Sequence, residues 1–366
     1  MMVAPNRLVS LDLLRGLAVL GMILVNEMAG MASEGPVFPT LLHSHWAGVT
    51  LADLVFPAFL FMVGVAIPLS LRERGSPDER YKRILWRSVR LVLLGFVLSN
   101  LWWFSDFSAT SWRLFGVLQR IGLVYAACAL LFLWSGPRTR LIVAAAILIL
   151  YWPLTLVPAL DALPNDLWAR GHNFVASVDR VLLGDHNYVK GPEGYDPEGL
   201  LGTLPAIAQG LIGVAIGEYL LRKGSKPATR QLLLLGAAML VAGIAWGFVF
   251  PVVKDIWSSS FVLVTSGITT LLLAALHRLF DGRAITGLRA VAGVVLLPFG
   301  ANAIAAYVLH MVTGSLLGWD LLQEPYRALR PTIGAELASF VPVGLYMLFI
   351  WLGMMYLWRR NWTIRI

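Results

Sequence analysis

Ten apolar runs, each near the roughly 20 residues an α-helix needs to cross about 30 Å of hydrocarbon, set the frame for this chain. They lie near 12–30, 52–71, 89–104, 114–134, 139–157, 199–221, 231–250, 259–279, 291–313 and 333–357. Lipid offers the backbone no hydrogen-bond partners, so runs of this length must close their bonds internally as helices. Composition agrees, with 58% hydrophobic and 14% charged residues among 366 and a mean hydropathy of +0.73. The expectation is an all-α, polytopic membrane protein with about ten transmembrane helices. The third run is short, with Trp102 and Trp103 as interfacial anchors at its outer end. The single cysteine, Cys128, excludes a disulfide framework and a cysteine-built metal site. No small-residue cleavage site follows Arg7, so the first run reads as a retained span rather than a cleaved signal.

Orientation follows from Lys and Arg, because basic loops resist translocation. An inside N-terminus gathers 21 of the 29 on one side: Arg7, Arg15, seven residues in 72–90, Arg138, Arg140, four in 222–230, Arg278, Arg283, Arg289, Arg359, Arg360 and Arg365. Both termini are then cytoplasmic. The net charge of +8 reports topology first and points to no nucleic-acid partner, although a basic inner face also suits an anionic cofactor.

No charge run or low-complexity tract divides the chain, so residues 1–366 read as one membrane domain. Its long connection, near 158–198, falls outside and is rich in acidic and aromatic residues. That length suits a lid or recognition loop. No internal repeat is evident, which weakens a transporter built from inverted halves.

A charge at mid-bilayer costs on the order of 2.5–3.5 kcal/mol, so polar residues within spans need a reason. Asn26 lies eleven residues after Arg15, within about 20° of the same helix face and roughly 16 Å further out. It either glues helices together by a hydrogen bond or belongs to a site. Gln119 and Arg120 are adjacent within the fourth run, where a guanidinium must face a partner, a cavity or an anion. Glu27 is Arg120's rival partner. Asn302 and His310, in the ninth run, argue for a polar cavity or for helix packing.

His43 and His45 precede the second span, and a lone pair of histidines makes a weak metal site, so none is expected. An imidazole there is instead a natural general base. Thr50 and Asp53 resemble a capping box, which gives Asp53 a purely structural reading. Asp196-Pro197-Glu198-Gly199 and Lys254-Asp255-Ile256-Trp257-Ser258 place further charge at the outer rim.

These segments together resemble the heparan-alpha-glucosaminide N-acetyltransferase family of membrane acyltransferases, including its bacterial NagX and YeiB-like branch. The resemblance runs through Arg7 to Asp12 with Arg15-Gly16, Val25-Asn26, His43 ahead of Trp46, Gly48 and Thr50 to Pro57, Gly116 to Arg120, Asp196 to Gly202, and Lys254 with Trp257-Ser258. It implies acetyl-CoA supplied from the cytoplasm, and an amino sugar or glycan end acetylated at its amine from the opposite side. It also implies a bacterial inner membrane and a homodimer.

In that scheme His43 and Asn26 are catalytic; His45 matches no family histidine. Arg7, Arg15, Gln119, Arg120, Asn302 and His310 hold the cofactor, and Asp53, Lys254, Trp257 and Glu198 the sugar. His43 would take the amine's proton while Asn26 stabilises the thioester oxyanion; a transient acetyl-His43 is the rival route. The alternative function is an amino-sugar transporter or a sugar-binding membrane protein without acyl transfer.

Overall fold

Apolar side chains leave a backbone in lipid only its own groups to bond with, and the chain answers with helix throughout. The structure, a computed structural model, describes residues 8–71, 76–107, 112–223, 225–282, 285–316 and 320–364, so Arg7 lies outside the described residues. The helices are α1 (Val9–Met31), α2 (Ala52–Leu71), α3 (Pro77–Ser99), α4 (Leu101–Ser105), α5 (Val117–Trp134), α6 (Pro137–Thr155) and α7 (Phe174–Leu183). They continue with α8 (Thr203–Lys223), α9 (Ser225–Gly247), α10 (Ser259–Phe280), α11 (Leu288–Ala301), α12 (Ala303–Leu316), α13 (Asp320–Ile333) and α14 (Ala335–Arg359). Among the described residues there is no strand; Ala47–Val253 and Val189–Tyr195 form isolated bridges.

Among the described residues, eight helices (α1, α2, α5, α6, α8, α9, α10 and α14) are long and apolar enough to cross a membrane, and α11 with α12 makes a ninth only as a pair bent by 77°. The expected count of about ten is not reached on that measure. The run expected near 89–104 belongs mostly to α3, whose first turns carry Asp78, Glu79, Arg80, Lys82, Arg83 and Arg87. A capping box starts that helix, with Ser76 accepting from the Glu79 backbone and Glu79 from that of Ser76, and Pro77 in the first turn. Such a start is typical of a helix beginning in water. The run expected near 291–313 breaks at Asn302. Pro298 removes one ladder hydrogen bond just before the break. The Asn302 amide there donates to Trp362 O at 3.1 Å and accepts from Ile364 N at 2.9 Å.

Two units form. The first comprises Met1–Ser44, Thr50–Phe56 and Ala275–Ile366. In it α1 lies against α11, α12 and α14, and α13 against α14. A Cβ added at Gly16 would strike Leu296 O, and one at Gly300 would strike Asp12 O, so α1 and α11 touch backbone to backbone. Close approach of this kind supplies the packing that holds helices together where lipid removes the hydrophobic drive.

The second unit comprises His45–Val49 and Pro57–Ala274. Here Gly213 and Gly217 of α8 lie against Phe61 O and Val65 O of α2, which spends the small-residue face of α8 inside the chain. The 156–202 connection has a core of its own: Leu167, Val175, Ala176 and Tyr195 pack with Trp46, Tyr151, Phe250, Val253 and Ile256. Asn173 caps α7 by accepting from Ala176 N at 2.9 Å.

Candidate active site

In the first unit the start of α2 positions one histidine. Asp53 is fully buried. Its Oδ2 accepts from Ser44 N at 3.0 Å and Thr50 N at 3.1 Å, and its Oδ1 lies 2.8 Å from His43 Nδ1. The bond to Thr50 N is half of a capping box, so one carboxylate both starts the helix and orients the ring. A carboxylate only accepts, which places the neutral ring's proton on Nδ1 and makes Nε2 its basic nitrogen. His43 keeps 45% of its side chain exposed, accessible to a reactant. His45 is exposed as well.

A second polar cluster sits inside this unit's helices. Asn26 Nδ2 lies 3.2 Å from His310 Nε2. His310 Nδ1 lies 3.2 Å from the Tyr346 hydroxyl and 3.3 Å from Glu27 Oε1. Tyr346 also meets Thr313 Oγ1 at 2.7 Å. Glu27 is 1% exposed, and neither of its oxygens makes a hydrogen bond of good geometry. Within this unit its ion-pair neighbour is His310. On the same helix Arg15 donates to Asp12 Oδ1 at 3.1 Å and reaches Gly300 O at 3.4 Å.

The second unit gathers the remaining polar residues. Arg113 donates to Asp196 from Nε at 2.9 Å and from Nη2 at 2.6 Å, and also donates to Glu198. Burial alone would lower the Arg113 pKa, but Glu198 and Asp196 outweigh it and raise it. Burial would likewise raise Glu198, yet Arg113 and then Arg120 hold it below the usual carboxylate range. Asp179 is pushed up to about 7 by burial, although Leu200 N donates to it.

Arg120 is fully buried. Its Nη2 donates to Gly199 O at 3.1 Å, and its guanidinium lies 5.0 Å from the Trp257 ring centre. Gln119, beside it, donates weakly to Ser99 Oγ and Leu114 O. Trp257 is fully buried, with Nε1 donating to Gln209 Oε1 at 3.0 Å. Its φ of 53° is left-handed, a conformation costing about 1–3 kcal/mol that surrounding structure must hold. Lys254 lies within electrostatic reach of Glu198 and Asp255, and Asp255 accepts from the Tyr195 hydroxyl at 2.5 Å.

Of the expected site residues, the structure joins His43 to Asp53, and Asn26 to His310. It commits Asn302 to the C-terminal segment, Glu198 to Arg113, and Trp257 to Gln209 and Arg120. The sequence did not place Tyr346, Asp179 or Gln209 in these clusters, and set Glu27 only against Arg120. An intramembrane carboxylate beside Asn26 was a legible signal; Tyr346 and Gln209 carried none.

A family model described as heparan-alpha-glucosaminide N-acetyltransferase, catalytic, matches residues 7–177. The heparan-alpha-glucosaminide N-acetyltransferases of Homo sapiens and Mus musculus are each 29% identical to this chain, covering 84% and 88% of it. Both matches support the heparan-alpha-glucosaminide N-acetyltransferase family for this chain. The chain spans about half the length of the curated relatives it matches, 53% and 56%. The stretch matched by the family model includes Asn26, Glu27, His43, Asp53 and Arg120.

Proposed function

We propose that the chain is a transmembrane N-acetyltransferase that moves acetyl from cytoplasmic acetyl-CoA to the amine of a glucosamine-type sugar on the periplasmic side of a bacterial inner membrane. The observation that carries this reading is the His43–Asp53 pair. A buried carboxylate holding Nδ1 fixes the tautomer in which Nε2 takes a proton, the arrangement that acyl-transfer bases use.

In the reaction the amine nitrogen attacks the thioester carbonyl carbon and a C–N bond forms. His43 Nε2 accepts the proton the nitrogen sheds. Asn26 donates an N–H to the oxygen that gains negative charge. Collapse breaks the C–S bond, and the coenzyme thiolate leaves, taking up the proton from His43. Basic residues on the cytoplasmic side, Arg15 among them, suit the coenzyme phosphates. A homodimer would use another face than Gly213 and Gly217 of α8, which are occupied within the chain.

One observation favours the transport reading: the 77° break between α11 and α12, since discontinuous helices mark transporter sites. Purified protein incubated with acetyl-CoA and a panel of amino sugars, followed by mass spectrometry, separates the two. An N-acetylated product with free CoA is expected. Uptake of an amino sugar into proteoliposomes without acetylation would sink the enzymatic reading.

A further inference from the structure

We propose that Glu27 is a positioning residue: through His310 it fixes the amide of Asn26, and so decides which atom of that amide meets the reacting acetyl group. The inference rests on the acetyltransferase reading and adds a residue to it. Glu27 is 1% exposed, where an uncompensated carboxylate is expensive. Its Oε1 lies at ion-pair distance from His310 Nδ1, 3.3 Å, without the geometry of a hydrogen bond.

His310 is itself 5% exposed and held at both ring nitrogens. Nε2 faces Asn26 Nδ2 at 3.2 Å, and an amide nitrogen only donates, so Nε2 must be the acceptor and Nδ1 must carry the proton. The Tyr346 hydroxyl donates to His310 O at 3.1 Å, so toward Nδ1, 3.2 Å away, it accepts and agrees with that tautomer. Glu27 Oε1, 3.3 Å from Nδ1, puts a carboxylate, which can only accept, on that same side of the ring.

The two ends of an amide are chemically opposite, so the proton's place on His310 is transmitted. With Nδ1 protonated, one Asn26 N–H is spent on His310, and the other stays available for a carbonyl oxygen. With Nε2 protonated, the amide must turn over and offer its oxygen to the ring. His310 then works as the middle of a relay from Glu27 to Asn26, in the way second-layer groups orient ligands elsewhere.

The test uses the full-length protein in detergent, labelled with ¹⁵N-histidine, with His310 assigned by its loss in His310→Gln. The expected wild-type spectrum is the Nδ1-protonated, Nε2-bare pattern. An Nε2-protonated His310 overturns the proposal, and this measurement needs no variant at Glu27. Glu27→Gln should then lower kcat for glucosamine acetylation about 10- to 100-fold, by analogy with such supporting partners, with the acetyl-CoA KM near wild type and the tautomer pattern changed. Tyr346→Phe should leave the tautomer in place. A folded Glu27→Gln with wild-type kcat and spectrum also overturns it. A wild type inactive on every amine but showing the expected spectrum refutes the acetyltransferase reading, not the orientation of Asn26.

Discussion

The Asp53 carboxylate reaches His43 Nδ1 at 2.8 Å from a fully buried position, with its other oxygen held by two backbone N–H groups. His43→Ala is therefore expected to lower turnover by about 10²- to 10⁴-fold, the usual worth of a general base. Acetyl-CoA binding should stay near wild type, since a group acting only in the transition state adds little to ground-state binding. Asp53→Asn should fall on the same scale, because an amide N–H facing Nδ1 forces the other tautomer. His45→Ala should keep most activity. Assays on the three purified variants decide it: an active His43→Ala, or a dead but well-folded His45→Ala, rejects the assignment.

The spans were legible because apolar runs of membrane length have one structural solution, and α1, α2, α5, α6 and α8 fall close to their expected positions. The break at Asn302 was not, since it depends on where the C-terminal segment returns: Trp362 O and Ile364 N meet that one amide. Local pattern showed Asp53 as a cap, and the structure adds the ring of His43, ten residues earlier, to the same carboxylate. Asn26 and His310 stood out as polar residues in apolar helices. Their meeting across 284 positions is a tertiary fact that no helical period contains.

Topology gives a direct check. With Cys128 replaced by Ala, Arg222→Cys should resist an impermeant thiol reagent in intact cells, while Pro192→Cys should react. Both positions are exposed, so access turns on the side of the membrane. Labelling of Arg222→Cys from outside would reverse the orientation read from basic residues.

Asp179 makes stability depend on pH. Its carboxyl sits at about 7 in the fold, against about 3.9 unfolded, so the folded state binds the extra proton between those values. Stability from this group is full below pH 4 and falls as pH rises to about 7, by an amount up to roughly 4 kcal/mol. Glu198, held low by Arg113, acts in the opposite sense at more acidic pH. Asp179→Asn removes the first contribution alone. Melting temperatures of wild type and variant should therefore diverge between pH 5 and pH 8, in the variant's favour at the alkaline end. Parallel curves would show that Asp179 ionises normally.

Arg120 separates a structural role from the cofactor role expected of a guanidinium buried within a span. Its Nη2 is bound to Gly199 O, its plane lies near Trp257, and Glu198, Asp196 and Asp179 lie within electrostatic reach. Its Nε and Nη1 are buried without acceptors. A cation so placed offsets a cluster of buried carboxylates, and removing one partner from such a cluster typically costs about 3–5 kcal/mol. Arg120→Met keeps most of the side chain's length and removes the charge. It should melt well below wild type, as should Arg113→Met, which removes the guanidinium that donates to Asp196 and Glu198. Whatever Arg120→Met protein is recovered should show an acetyl-CoA KM within about twofold of wild type, because a loss confined to folding leaves the ground-state complex intact. The opposite pattern, a wild-type melting temperature with acetyl-CoA use abolished, would put Arg120 against the coenzyme and leave the carboxylate cluster to Arg113 alone.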